Sequence, residues 1–204
     1  EEGRVCILTD GTCEGNALAK LRCAGCGVCW GEDHELNIAV PLPGGWQTNQ
    51  RAELAAAVLA VETDPRGILV FTDSKFVFSG WESGRGHACH TDLWDRLLWH
   101  KHNHPGRIEI RKVKGHATWM DVRRGRVRLQ DKIGNAQADK LAVAGRRKRT
   151  LPHGLQEAAQ ERKQKKRHRA LVYQRALTRI VTEHDFAVSE FYEAVKLFEG
   201  PPAK

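Results

Sequence analysis

The chain of 204 residues lacks any apolar run that approaches the roughly 20 residues needed to cross a bilayer, and no secretory signal pattern opens it. These absences argue against a membrane span and favour a soluble intracellular protein. Methionine is also scarce: Met120 is the only one, and the chain begins at Glu1 with a strand pattern close behind. We therefore expect a piece of a longer chain, such as a polyprotein.

The six cysteines lack a second pair of ligands at zinc-binding spacing. Cys23, Cys26 and Cys29 form a compact cluster, but a structural zinc site normally needs four ligands. The segment 22–30 is also rich in small residues and reads as a strand. We expect free thiols in a reducing compartment rather than a metal site or a disulfide framework.

Surplus positive charge is concentrated near the end of the chain. The net charge is +8, and residues 146–204 carry 14 Lys and Arg against 7 Asp and Glu. This predicts one domain over residues 1–145 and a basic extension over 146–204, with a linker at 151–154. The run 146–169, which contains ten Lys or Arg, is either a solvated arm or an ordered contact with nucleic acid.

An apolar stripe at helical spacing follows the basic run and predicts an amphipathic helix. Its apolar face needs a partner, which is the preceding domain, a second copy of the chain or a neighbouring polyprotein segment. The stripe covers 177–198 and consists of Leu177, Ile180, Val181, His184, Val188, Phe191, Val195 and Phe198.

The remaining patterns predict a mixed sheet with helices packed on it, which is the α/β class. The predicted strands are Val5–Leu8, Cys23–Trp30, Asn37–Leu42, Ile68–Phe71 and Ile108–Val113. The predicted helices are Gln50–Glu62, with Thr48 as N-cap, then Asp92–His102 and Ala136–Ala144.

Four carboxylates occupy well-separated positions of this pattern. Asp10 and Asp73 directly follow apolar strand segments, whereas Glu53 and Asp139 lie in alanine-rich helical segments. Strand ends and helices together could bring the four into one cage of oxygen ligands, the kind that Mg²⁺ or Mn²⁺ prefers.

The order of the surrounding motifs resembles type 1 ribonuclease H, including the ribonuclease H domains of retroelement polyproteins. The resemblance covers roughly residues 4–145. It rests on Asp-Gly at 10–11, Thr-Asn-Gln-Arg-Ala-Glu-Leu at 48–54, Thr-Asp-Ser at 72–74, Gly-His at 115–116 and Gly-Asn-x-x-x-Asp at 134–139. It implies a five-stranded sheet of the ribonuclease H type.

The resemblance also implies a reaction: hydrolysis of the RNA strand of RNA/DNA hybrids with two Mg²⁺ or Mn²⁺ ions per site. Asp10 and Asp73 would be the central ligands. Glu53 would hold the ion on the leaving-group side, and Asp139 the ion that activates water. His116 would assist proton movement or product release, as the family's flexible-loop histidine does.

Substrate contacts are implied at further positions. Asn16, Asn49 and Gln50 match residues that sense 2′-hydroxyl groups, and an amide both donates and accepts hydrogen bonds as that contact requires. Thr48 matches a contact to a DNA phosphate. Asn135 is expected to cap the closing helix and to help position Asp139.

The chain departs from the family pattern in places. Trp46 stands where many members have a basic residue, and His90 where Asn is frequent, so the DNA-phosphate pocket is expected to differ. The stretch between Asp73 and Asp92 is too short for the basic protrusion of some members. Conversely, the insert Ala117–Ile133 is long and carries four arginines that could grip phosphates instead.

Three functions fit these observations. The first is a metal-dependent ribonuclease H, the second is a catalytically silent nucleic-acid-binding module of the same fold, and the third is an integrase or exonuclease of the same superfold. The presence of all four carboxylates favours an enzyme. Asn49-Gln50 and Gly115-His116 favour ribonuclease H over the third.

Overall fold

The computed structural model describes residues 3–15, 21–150 and 153–199. The strands of this part of the chain are β1 (Val5–Glu14), β2 (Cys23–Cys29), β3 (Ile38–Pro41), β4 (Ile68–Thr72) and β5 (Ile108–Lys112). The helices are α1 (Asn49–Thr63), α2 (Lys75–Ser83), α3 (Thr91–Asn103), α4 (Trp119–Arg123), α5 (Leu129–Arg147) and α6 (His153–Glu199).

The strands form one sheet in the order β3-β2-β1-β4-β5. β1, β2 and β3 are antiparallel neighbours, and β4 and β5 run parallel to β1. The predicted five-stranded mixed sheet with flanking helices is therefore confirmed. The pairing of β1 with β4 ends at Thr9 and Thr72, while β1 continues to Glu14 beside β2. The flank of β1 beyond Thr9 is thus not covered by β4.

Two glycines near the centre of the sheet allow two helices to lie directly on the strands. A Cβ added to Gly27 in β2 would stand 2.2 Å from the carbonyl oxygen of Ala138 in α5. A Cβ added to Gly11 in β1 would stand 2.1 Å from the backbone nitrogen of Glu53 in α1. Since neighbouring residues of a strand point to opposite faces, and Gly27 pairs with Asp10, the two helices pack on opposite faces of the sheet.

The first helix is buried on most sides. Its alanines Ala52, Ala56, Ala57 and Ala60 have no exposed surface, which agrees with a helix between the sheet and other helices. The prediction that Thr48 is the N-cap is confirmed, because its hydroxyl accepts a hydrogen bond of 3.2 Å from the backbone N–H of Arg51.

Two helices were not predicted from the sequence. α2 begins after Ser74, whose hydroxyl accepts from the N–H of Val77, and ends at Gly84 with a φ of 66°. α4 begins with a capping box formed by Thr118 and Asp121. Both are short, so their helical periodicity is weak, but their caps were legible in the sequence.

Three local predictions were wrong. Asp10 lies inside β1 rather than at its end, because β1 continues as a hairpin with β2. Asn135 does not cap the closing helix, because α5 already begins at Leu129. His153 and Gly154, taken as linker, are the first residues of α6; Leu151 and Pro152 lie outside the described residues.

The chain divides into two units, residues 1–150 and 151–204. The boundary predicted after Gly145 falls inside α5, and residues 146–149, all Lys or Arg, belong to the first unit. Residues 151–204 then carry ten Lys and Arg against seven Asp and Glu, a net charge of +3. The predicted concentration of charge in the extension is therefore partly a property of the end of α5.

The second unit contains α6, which spans 47 residues and holds the predicted stripe. The described side chains of the stripe are exposed. Val195 and Phe198 lie in the helix, beyond the described side chains. Among the helices that the structure describes, none is long and apolar enough to cross a membrane.

Asp64 ties the end of α1 to neighbouring segments. Its side chain is only 1% exposed and accepts hydrogen bonds from Trp30 Nε1 at 3.0 Å and from the Arg66 backbone and guanidinium. These donors, the Arg66 side chain foremost, hold the pKa of Asp64 well below its usual range. The carboxylate therefore stabilises the fold only while it is ionised.

We expect Asp64→Asn to lower the free energy of unfolding by about 2 kcal/mol at pH 7, because the hydrogen bonds to a buried charge are removed. A folded-state pKa below the unfolded value gives stability that is present above about pH 4 and lost as the pH falls further. The difference between the two proteins should therefore shrink below that pH. Denaturant unfolding between pH 3 and pH 7 measures this, with the exposed Asp33→Asn as control; a difference that does not change with pH contradicts it.

Candidate active site

One cavity of about 280 Å³ opens beside the uncovered flank of β1. All four predicted carboxylates line it, although they come from four separate elements of the chain. Asn49, His116 and Asn135 line it too. The other wall residues are Gly11, Thr12, Lys114, Ala117, Lys132 and Ala136.

The sheet places two of the carboxylates. Asp10 and Asp73 each directly follow the last pair of the parallel ladder between β1 and β4, Thr9 and Thr72. Both side chains therefore stand at the level where β4 ends, which is where sheets with parallel strands commonly present their chemistry. Both are partly buried.

Helix packing brings in the other two. Glu53 follows Ala52 on α1, at the contact with Gly11 of β1. Asp139 follows Ala138 on α5, at the contact with Gly27, which is the partner of Asp10 in the sheet. Close backbone approach on each face thus delivers one carboxylate to the cavity.

Glu53 is held by neutral donors. Asn49 Nδ2 donates to its Oε1 at 2.7 Å, and the Ser74 hydroxyl donates to its Oε2 at 2.5 Å. Burial raises the pKa of Glu53, and Asp73 raises it further, while the two donors lower it. Ser74 was not predicted as a site residue, although it stands in the Thr-Asp-Ser motif beside Asp73.

Among the four carboxylates, Asp10 has the most strongly raised pKa. Burial, followed by the charges of Asp73, Asp139 and Glu53, raises the pKa of Asp10 to about 8, against a lowering effect from the Gly11 N–H. Four carboxylates gathered in one half-buried place repel one another, and a cation between them would relieve this.

The donor set fits a divalent metal, since it consists of carboxylate oxygens and already favours added positive charge. In the part of the chain that the structure describes, however, no three His, Cys, Asp or Glu side chains are grouped so that they could hold an ion as they stand. Both oxygens of Glu53 already accept hydrogen bonds, from Asn49 and Ser74. The cavity thus gathers the ligands without fixing them in a finished coordination shell.

His116 stands on the loop after β5, at the rim of the cavity. Its ring is exposed, it forms no hydrogen bond with the described residues, and its backbone has a φ of 48°. The preceding Gly115 passes so close to Asp73 that an added Cβ would stand 2.6 Å from Asp73 Oδ2. The loop backbone therefore lies close to Asp73, whereas the imidazole has no hydrogen bond to the described residues.

The predicted amide and hydroxyl contacts divide into three groups. Asn49 and Asn135 line the cavity, and Asn135 Nδ2 lies 3.5 Å from Asp73 Oδ2. Gln50 is exposed outside the cavity lining, and Thr48 uses its hydroxyl as the helix cap. Asn16 lies outside the described residues.

Two lysines of the cavity wall were missed by sequence reasoning. Lys114 Nζ pairs with Asp121 Oδ1 at 2.6 Å, and Lys132 Nζ lies 4.8 Å from the ring centroid of Trp119. Lys114 directly precedes Gly115-His116, so its place near the cavity could have been predicted from the sequence. Lys132 was not, because the start of α5 was predicted too late.

Trp46 and His90, the two departures from the family pattern, lie beside each other in the structure. Trp46 is 71% exposed and meets the ring of His90 edge-on, with 6.3 Å between centroids. Arg51 forms two hydrogen bonds to Asp92, which occupy its guanidinium group. A cavity of about 290 Å³ lies between Trp46, Arg51 and Asp92.

The cysteine cluster belongs to the sheet. Cys23, Cys26 and Cys29 all lie on β2, and all six cysteines of the chain are free. Burial raises the pKa of Cys26 to about 12, with a further contribution from Asp10. Cys26 is therefore a neutral core residue at physiological pH.

We expect Asp10→Asn to stabilise the metal-free protein. A carboxyl group whose folded-state pKa is raised destabilises the fold above its unfolded pKa, and the penalty grows as the pH rises from about 4 towards 8. In EDTA the variant should exceed the wild type by at least about 1 kcal/mol at pH 7 and match it near pH 4. Denaturant unfolding at both pH values measures this; a variant that is less stable at pH 7 contradicts it.

Comparison with known proteins identifies the family of this chain. Residues 2–147 match the family model of RNase H. The chain is 34% identical to human Ribonuclease H1 over 157 residues, which cover 69% of this chain and 49% of that protein. It is 31% identical to the Ribonuclease H of Rickettsia typhi over 163 residues, which cover 71% of this chain and 92% of that protein.

The chain therefore spans about half the length of the human relative. Among solved structures, the protease-reverse transcriptase of prototype foamy virus matches with a TM-score of 0.49 and 27% identity, over 69% of this chain and 20% of that one. The family model alone covers more than two thirds of the sequence, including all four carboxylates. The chain belongs to the RNase H family.

Proposed function

We propose that this chain hydrolyses the RNA strand of RNA/DNA hybrids, as an endonuclease that depends on two divalent cations. The observation that carries the proposal is the convergence of Asp10, Glu53, Asp73 and Asp139 on one cavity, where burial and mutual repulsion raise the pKa of Asp10. Such a cavity is poorly suited to a neutral ligand and well suited to cations. Membership in the RNase H family supports the substrate and the reaction.

The four carboxylates would hold the cations, Mg²⁺ or Mn²⁺. When bound, the two ions supply an activated water and stabilise the oxygen that leaves phosphorus. Glu53 would then exchange its hydrogen bonds from Ser74 and Asn49 for a metal contact.

The residues around the carboxylates act on the substrate. Lys114 and Lys132 place positive charge at the cavity wall, where a scissile phosphate would enter. The imidazole of His116 is exposed and could meet a bound substrate without breaking a contact to the described residues. We assign it to proton movement or product release.

Recognition of the hybrid would use Asn49 and Gln50, with Asn16 and Thr48 as further contacts. Asn49 is already bonded to Glu53, so a substitution there would change the metal cage and 2′-hydroxyl recognition together. Gln50 is exposed and lies outside the cavity lining. A Gln50 variant is therefore the cleaner probe of discrimination between RNA and DNA.

The insert would grip phosphates in place of a basic protrusion. Arg123, Arg124 and Arg126 stand on α4 and the turn that follows it, and all three are exposed. They form no ion pair with the described residues, whereas Arg128 is paired with Asp131. Unpaired arginines near the lysines of the cavity suit sequence-independent contacts to a nucleic-acid backbone.

A catalytically silent binding module is the second candidate. It is favoured by the lack, among the described residues, of three side chains grouped to hold an ion, and cleavage decides between the two. Membership in a retroelement polyprotein stays a prediction from the sequence.

We expect cleavage of labelled RNA/DNA hybrid in Mg²⁺, with RNA/RNA and DNA/DNA left intact and no cleavage in EDTA. Asp73→Asn should reduce turnover below a few per cent of wild type, because it removes a central ligand while preserving shape. Asp95→Asn, an exposed change on α3 outside the cavity lining, should cleave normally. Binding of the hybrid without cleavage by the wild-type chain would establish the silent module instead.

We expect the triple change of Arg123, Arg124 and Arg126 to Gln to weaken hybrid binding and its dependence on salt. The slope of log K against log [salt] should flatten by about 0.9 for each phosphate that the variant no longer neutralises, if the backbone behaves like B-form DNA. The matched control changes Lys165, Arg167 and Arg175, three exposed cations of α6, to Gln. Equal slopes for wild type and the arginine variant, with a flatter slope for the control, would assign the grip to α6.

A further inference from the structure

The long helix α6 has an apolar row with the spacing of a coiled coil. Residues of this row recur at alternating intervals of three and four, which is a seven-residue repeat. The row comprises Ala170, Tyr173, Leu177, Ile180, His184, Ala187 and Phe191. Four of its members are largely exposed: Tyr173 (69%), Leu177 (63%), Ile180 (61%) and Phe191 (65%).

Charges of opposite sign flank the two ends of this row. Residues 162–169 contain six Lys or Arg and no acidic residue, whereas residues 183–193 contain four Asp or Glu and no Lys or Arg. In the seven-residue repeat, the position just before the first apolar site of each heptad is taken by Arg162, Arg169, Ala176, Glu183 and Glu190. The charge in this flanking row is positive before Ala176 and negative after it.

We propose that α6 pairs with α6 of a second copy of this chain, in antiparallel orientation and centred on Ala176. In antiparallel coiled coils, residues of this flanking row face one another across the two helices. Centring on Ala176 sets Arg162 opposite the partner's Glu190 and Arg169 opposite the partner's Glu183, and symmetry repeats each pair. A parallel pair would instead place the basic stretch 162–169 beside the same stretch of the partner helix.

The same register also pairs residues of the apolar row across the two helices. It sets Tyr173 against the partner's Leu177 in the two central layers, and Ala170 against the partner's Ile180 in the layers on either side. Lys163 and Lys166 also fall on the row. Their aliphatic stems can cover the partner's apolar surface while the ammonium groups reach solvent.

The charged partners are available for pairing. Arg162, Arg169 and Glu190 form no ion pair with the described residues. Glu183 accepts a hydrogen bond of 2.6 Å from Arg179 one turn earlier, and a carboxylate with two oxygens can accept a second donor. The pairing rests on α6 alone and does not depend on the proposed activity.

Light scattering coupled to gel filtration of the full chain tests the pairing. The wild type at micromolar concentration should elute with twice the mass of one chain. Leu177→Ser combined with Ile180→Ser should yield monomer, because it removes the centre of the apolar row. Phe186→Ser combined with Tyr192→Ser is the matched control: both residues are over 60% exposed but lie off the row, and the dimer should persist.

Charge reversal tests the orientation. Arg162→Glu with Arg169→Glu should raise the dissociation constant of the dimer at least about 10-fold. Adding Glu183→Arg and Glu190→Arg should return the dissociation constant to the wild-type value, because every pair across the two helices is then again a pair of opposite charges. A wild type that stays monomeric up to about 100 μM, on the affinity scale of weak association, overturns the proposal. So does a dimer that ignores the charge reversal, and so does failure of the quadruple variant to recover.

Discussion

Direct contact between helix backbone and sheet backbone is the constraint on which this site depends. Gly11 and Gly27 sit on opposite faces of the two central strands, and each leaves room for one helix to lie against the sheet. A side chain at either position would push a helix outward and carry Glu53 or Asp139 with it. Gly27 of β2 and Gly11 of β1 are thus part of how the cavity is assembled.

Bringing four carboxylates into one cavity has an electrostatic cost, which the neighbouring hydrogen-bond donors reduce only in part. Glu53 receives hydrogen bonds from Ser74 and Asn49, and Asp73 lies near the amide of Asn135. Asp10 has the Gly11 N–H as a favourable influence, but burial and three neighbouring charges outweigh it. Such repulsion in the folded state favours cation binding, since each bound cation would reduce the repulsion that folding created.

The sequence predicted the sheet and the identity of the cavity residues better than it predicted the ends of elements. The order of the motifs predicted the four carboxylates. Their positions depend on the packing of strands and helices, which leaves clear apolar patterns in the sequence. Asn135 was misplaced because the first two turns of α5 lack such a pattern, and Lys132 was missed for the same reason. The charge of the extension was overstated because Arg146 to Arg149 continue the first unit, which only the contacts of the folded chain reveal.

The central claim is that the cavity is a cation site created by folding. The most direct measurement is the melting temperature of the wild-type chain at pH 7 in EDTA and in saturating Mg²⁺, at matched ionic strength. Binding to the folded state alone should raise it by at least about 3 °C. An unchanged melting temperature would contradict the account, because carboxylates that repel one another in the folded state must be stabilised by the ion that separates them.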